Sequence, residues 1–234
     1  MSRAGRIVRT LAAIAAGAAG AYGAYAAAAW YRYGRLEPAR DPRERDAALD
    51  AFIPAYEVSE RHQIRVAAPA PVALAAARDL DLGAMVLPQA LFALRARVLG
   101  SRPAAAAFSR GLIADMLALG WTLLADVPDR EVVVGTVTRP WQADVAFRSV
   151  PAGEFAAFAE PGYVKIAVVL RAEALGPAEA LLHTETRVAT TDATARATFR
   201  RYWAAFSAGI VLLRLLLVRR ARAEAERRWR RREA

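Results

Sequence analysis

The residues with the most obvious chemical capacity are two histidines and the carboxylates near them. His183 and Glu185 stand two apart on one strand pattern, and Glu60 and His62 open another. Side chains at that spacing share a strand face and lie near each other, so a His–carboxylate pair for proton transfer is geometrically allowed. Arg187 continues the face of His183 and Glu185, and three polar residues in alternation read as a solvated face that needs no catalytic role. No catalytic residue is assigned on this basis. The chain holds no cysteine, which excludes disulfides and thiolate chemistry and, with two histidines, the usual zinc clusters. It has no glycine-rich phosphate loop and no serine nucleophile elbow. No metal and no cofactor is expected.

A second group of residues suits binding better than catalysis. Arg139-Pro140-Trp141 follows a strand end, where Trp141 can line a ligand mouth and Arg139 can meet an anionic group bidentately. Tyr202, Trp203 and Phe206 lie on a long helical pattern and can present aromatic surface, with polar tips on the first two, to the same cavity. The plain alternative is that all five pack a core or brace a loop. Arg214 interrupts the apolar run Ile210–Val218; it either snorkels to solvent along its methylene stem or faces a cavity or lipid headgroups.

These residues need a scaffold, and the pattern predicts one. Thr190, Thr191 and Asp192 are N-cap residues for a helix reaching about Arg232, with Phe199, Trp203, Phe206, Ile210, Leu213 and Leu217 at steps of three or four. Ahead of it, period-two alternation marks strands at His62–Ala67, Trp121–Val127, Glu131–Arg139, Tyr163–Ala172 and Ala180–Ala189, with a shorter one over Asp144–Ser149. Pro128-Asp129-Arg130 suits a hairpin turn. Helical pieces are predicted over Val72–Asp79, Pro88–Leu99 and Ala104–Leu119, and a short one at Asp46–Phe52. Residues 36–56, with Pro38, Pro42 and Pro54, read as a linker, and Pro151–Gly162 as a loop or short helix.

Charge is placed unevenly. Of the net +10, residues 1–35 carry +5 and residues 219–234 carry +5, which leaves 36–218 neutral. A nucleic-acid-binding domain concentrates its cations on the folded body, so nucleic acid is not an expected partner. Basic ends beside apolar segments fit anionic lipid headgroups, although cations at a helix C-terminus also suit the dipole alone. Thr10–Tyr31 is a charge-free run of spanning length, rich in Ala and Gly, with Tyr22, Tyr25, Trp30 and Tyr31 toward one end. It is expected to be an uncleaved single-pass anchor at the cell membrane, with the flanking arginines leaning the body to the cytoplasmic face. A signal peptide cut near Ala24-Tyr25-Ala26 and a non-inserting surface helix are the rivals. The preference for Arg over Lys, with abundant Ala, is the habit of high-GC bacterial genomes.

The order is a strand, helical pieces, an antiparallel run and one long helix. The segment His62-Gln63-Ile64-Arg65-Val66-Ala67-Ala68-Pro69-Ala70-Pro71-Val72 resembles the first strand and proline-started helix of the START-like, polyketide cyclase/dehydrase (SRPBCC) superfamily. Glu185-Thr186-Arg187-Val188, followed by the helix from Asp192, resembles its last strand and gripping helix. The resemblance covers about residues 57–220. It implies an α+β helix-grip fold, a curved antiparallel sheet wrapped on the C-terminal helix around an apolar cavity. It departs from that pattern in the helical material at 103–119, the hydrophobic N-terminus and the Arg-rich tail.

The expected organisation is an anchor (1–35), a linker (36–56), a helix-grip domain (57–220) and a basic helical tail (221–234). The expected function is binding of a hydrophobic small molecule or lipid, with the membrane engaged through the N-terminal helix and the tail. Fold does not fix function, so a cyclase/dehydrase-like enzyme in the same cavity and a non-catalytic membrane or protein interaction module stand beside it.

Overall fold

A computed structural model describes residues 3–33, 37–38, 45–101 and 110–233. In chain order the elements are α1 (Arg3–Arg32), β1 (Glu37–Pro38), α2 (Ala47–Asp50), β2 (Ala55–Tyr56), β3 (Val58–Val66) and α3 (Ala70–Arg78). They continue with α4 (Val86–Val98), α5 (Leu112–Ala118), β4 (Thr122–Val127), β5 (Glu131–Thr138), β6 (Phe147–Arg148) and α6 (Ala152–Phe155). The chain ends with β7 (Val164–Gly176), β8 (Glu179–Thr190) and α7 (Ala193–Glu233).

The main sheet is antiparallel with order β3-β8-β7-β5-β4, and β6 pairs with the far end of β5. Consecutive hairpins build β4-β5 and β7-β8. β3, the earliest of the five long strands, closes the sheet by lying against the last. The long helix α7 runs across one face. Its start is fixed as its sequence predicts: Asp192 Oδ1 accepts the Ala195 N–H at 2.8 Å, and Thr191 Oγ1 accepts the Tyr163 N–H at 3.0 Å. The result is an α+β protein with helix-grip architecture: sheet, gripping helix and an apolar N-terminal helix.

Two features differ from the sequence expectation. Residues 46–56 are part of the body and not a linker. Asp46 caps α2 by accepting the Ala48 and Leu49 N–H groups at 3.1 Å each, and Leu49 and Ile53 are fully buried against Val133, Val169 and Phe155. They cover the sheet face opposite α7, so both faces of the sheet are enclosed.

The second difference is along α7. Val218, Ala221 and Ala225 are buried, and Trp229 packs on the α3 core with Val72 and Leu182. Arg228 pairs with Asp79 at 2.8 Å, and Glu226 accepts the Ala67 N–H. Residues 221–229 are therefore a gripping segment and not a free tail. Ala204–Leu217, the apolar stretch, is for the most part only half-buried. Beyond it, Ala221 and Ala225 seat the helix on α3.

The helical piece expected at Ala104–Leu119 is shorter. Residues 102–109 lie outside the described residues, and α5 starts after Gly111. That residue has φ of 99°, and a side chain there would meet Asp79 Cα at 2.9 Å.

α1 is docked over its second half. The Tyr22 hydroxyl donates to the Ala205 carbonyl, the Tyr25 hydroxyl to Ser207 Oγ at 3.2 Å, and Arg200 donates to the Trp30 carbonyl and covers its ring at 4.3 Å. Residues 6–21 are exposed throughout. Both α1 and α7 are long and apolar enough to cross a membrane by length and composition.

Candidate functional site

The alternation of β3 puts Val58, Glu60, His62, Ile64 and Val66 on the side of α7. Val58 packs with Phe199 and Trp203 at one end, and Val66 with Ala221 and Ala225 at the other. Glu60 and His62 therefore lie under the middle of the helix. Across the ladder, Glu60 is opposite Thr186 and His62 opposite Thr184. Tyr33, just past α1, donates its hydroxyl to Glu60 Oε1, and its ring meets Trp203 edge-on at 5.6 Å.

Four polar atoms in this region are buried with no hydrogen-bond partner among the described residues: His62 Nε2, Thr186 Oγ1, Trp203 Nε1 and Arg214 Nε. Thr186 and Trp203 are 4% and 5% exposed. His62 Nε2 lies 4.0 Å from Glu60 Oε2, beyond hydrogen-bond range. Burial first, and then the neighbouring Arg214 charge, hold the His62 pKa below its ordinary value, against the opposing pull of Glu60, so the ring is neutral at pH 7. Burial also lowers Arg214, to about 10, while Glu60 acts the other way; the guanidinium stays charged. Burial, reinforced by Glu60, raises Tyr33 above its usual range and keeps it a donor.

Four of the five residues expected to bind a ligand gather at the Trp203 end. Trp141, half-buried, packs on the cluster of Val58, Val164, Val188, Phe199 and Trp203, where Tyr202 also lies. Tyr202 stacks on Phe206 with ring centroids 5.0 Å apart. Arg139 is elsewhere: its Nε donates to the Gly162 carbonyl at 3.0 Å and its guanidinium covers Tyr163 at 4.1 Å. The cation at the aromatic end is Arg95 of α4, whose Nε donates to Tyr202 Oη at 3.3 Å and whose Nη2 donates to the Pro140 and Gln142 carbonyls at 2.6 and 3.0 Å. An arginine inside a predicted amphipathic helix carries no signal of that role.

His183, Glu185 and Arg187 occupy the opposite sheet face, beneath residues 46–56, and are buried, contrary to the solvated face expected. Glu185 accepts from Ser59, Arg61 and Arg187, and Arg187 also reaches Asp50 and the Ile53 carbonyl. Arg171 joins Asp46 and Glu131 nearby. Ligand atoms of Asp46, His183 and Glu185 fall within 4.8 Å of one another. Three guanidiniums already hold the two carboxylates, which makes the cluster an internal ion-pair layer and a poor cation site.

A shallow surface depression outside the grip, of about 340 Å³, separates Leu74 and Arg78 from the Asp126–Asp129 turn.

By its topology the chain is thus an α+β helix-grip protein, with a polar patch buried between gripping helix and sheet. No protein-family model matches the chain, and no curated protein matches it. Among solved structures it is similar to the ZhuI aromatase/cyclase from Streptomyces sp. R1128, at 14% identity over 73% of this chain and 94% of that one, with a TM-score of 0.24.

Proposed function

We propose that this is a membrane-tethered binding protein that holds a hydrophobic small molecule or lipid between α7 and the sheet. The observation that carries the reading is the set of four buried polar atoms between α7 and the sheet that have no partner among the described residues. Each such orphan costs about 1–3 kcal/mol, and the polar part of an amphipathic ligand offsets several at once. The half-buried apolar middle of α7 and the aromatic end at Trp141, Tyr202 and Phe206 offer the apolar contact. α1, with its exposed apolar first half, is the tether.

A cyclase- or dehydrase-like enzyme is the second reading, favoured by one detail: a neutral His62 beside Glu60 and the protonated Tyr33 is an acid–base group inside the grip. The full chain, extracted in mild detergent and examined by native mass spectrometry, tests binding. Co-purified or added lipid retained at one copy per chain supports it. A chain that stays empty with every lipid class offered overturns it.

A further inference from the structure

We infer that the outer surface of α4 and of the middle of α7 rests on an anionic lipid bilayer. The inference builds on the membrane side of the proposed function and adds a contact made by the body itself. Arg200 and Ser207, seven residues apart on α7, meet α1, whereas Tyr202 and Gly209, also seven apart, meet Arg95 and Leu91 of α4. Two residues turn a helix by about 200°, so α1 and α4 flank α7 on opposite sides. Trp203 points between them into the core. Leu212, nine residues on, points the opposite way and is 43% exposed, on the face it shares with exposed Arg201 and Ala205.

On α4, Val86, Ala90, Leu94 and Val98 recur at steps of four and all are exposed, Val86 at 83% and Leu94 at 57%. No described residue covers this stripe, and Arg97 stands exposed beside it. Charge indicates what does cover it. α1, α4 and residues 193–223 of α7 hold four, two and seven arginines and no acidic residue; all 23 aspartates and glutamates lie elsewhere. The body, neutral in sum, is thus polarised, with arginines alone among the charges of its apolar helices. Apolar side chains edged only by arginines match acyl chains beneath anionic headgroups. A second copy would instead bring like charges face to face.

The chain has no cysteine, so single cysteines can carry an environment-sensitive fluorophore at Leu94→Cys, at Leu212→Cys and, as a control at the far end of β7, at Leu175→Cys. All three sites are exposed, which protects folding. Each full chain is diluted from mild detergent onto vesicles of phosphatidylcholine, alone or with about one-third phosphatidylglycerol. On the anionic vesicles the probes at 94 and 212 are expected to brighten roughly twofold or more and to be quenched by spin-labelled acyl chains, while the probe at 175 does neither. Arg97→Gln with Arg201→Gln is expected to raise the lipid needed for half-maximal brightening roughly tenfold, since each arginine near an anionic surface contributes several-fold. Probes at 94 and 212 that stay unchanged while the chain floats with the vesicles overturn the inference and leave the α1 tether standing. Equal brightening on neutral vesicles overturns it too, as does brightening without vesicles that grows with protein concentration, which gives the surface to a second copy. A chain that floats with neither vesicle removes the tether as well.

Discussion

Arg187 Nε donates to Glu185 Oε1 at 2.7 Å, and neither residue has exposed surface. Two residues apart on one strand, they form the centre of an ionic layer sealed by residues 46–56. Removing one member of a buried pair leaves the other desolvated, a larger effect than losing the attraction itself. Arg187→Met is expected to cost about 3–5 kcal/mol, read as a lower urea midpoint. In a double-mutant cycle with Glu185→Gln the coupling should be about 1–3 kcal/mol; a coupling near zero would mean that Arg61 alone sustains Glu185.

Both histidines give the body a pH dependence of definite sign. Burial, then Arg214 at His62 and Arg61 at His183, lowers each below the ordinary 6.5. The unfolded chain then binds more protons than the native one between the depressed values and 6.5. Stability is therefore fully present above 6.5 and declines as pH falls below it. The melting temperature should drop between pH 7.5 and 5.5, before the lowered carboxylates Asp46 and Asp126 begin to titrate. The double variant His62→Gln, His183→Gln should flatten that slope; an unchanged slope would assign it to other groups.

The strands were legible because alternation and turn chemistry are local. Pro128-Asp129-Arg130 marks the β4–β5 hairpin, where Asp129 takes the left-handed conformation with φ of 59°, and Thr190 to Asp192 mark the start of α7. What lay across each face was not legible. His183, Glu185 and Arg187 have the composition of a wet face, and only Leu49 and Ile53, more than a hundred residues earlier, make it dry. The reverse error arose at the end of α7, where Arg219–Arg232 has the charge of a solvated tail while Ala221 and Ala225, spaced by four, form the seat. Of the expected ligand contacts, the aromatic residues assembled because helix spacing and a strand end fix them locally. Arg139 did not, because its partner Gly162 comes from a separate loop.

Asp46 does two tasks at once. It caps α2 and takes a bidentate share of Arg171, at 2.8 and 3.0 Å. Both contacts hold its carboxyl below the usual range against the opposing effect of burial. Asp46→Asn keeps cap geometry and loses the charge, whereas Asp46→Ala loses both. The cap alone is worth about 1 kcal/mol, so the alanine variant should be less stable than the asparagine variant by about that amount in urea unfolding.

Gly135 on β5 marks a close approach. A side chain there would begin 2.5 Å from Leu124 Cδ1 and 2.9 Å from the Phe155 ring. Gly135→Ala should destabilise by about 1–3 kcal/mol through overpacking. Phe155→Leu in the same chain should recover part of it. No recovery would place the strain on Leu124.

Thr186→Val offers the opposite outcome. It removes a buried hydroxyl that has no partner among the described residues, so the chain should become more stable by about 1 kcal/mol when no ligand is added. A fall in melting temperature without ligand would show that this hydroxyl is already satisfied.

The docking of α1 on α7 sets a limit on how the chain can meet a bilayer. With Tyr22, Tyr25 and Trp30 held by the body, the charge-free stretch beyond them, residues 10–21, measures about 18 Å at 1.5 Å per residue. A hydrocarbon layer is about 30 Å thick, so Arg9 would stop inside it. A full crossing therefore requires residues 22–33 to leave the flank of α7. Tyr33 leads from that helix to Glu60 and Trp203, so withdrawal of α1 into lipid would also unlatch the polar patch beneath the gripping helix. In a chain tethered by α1 as proposed above, depth of insertion and access to the grip would be one equilibrium.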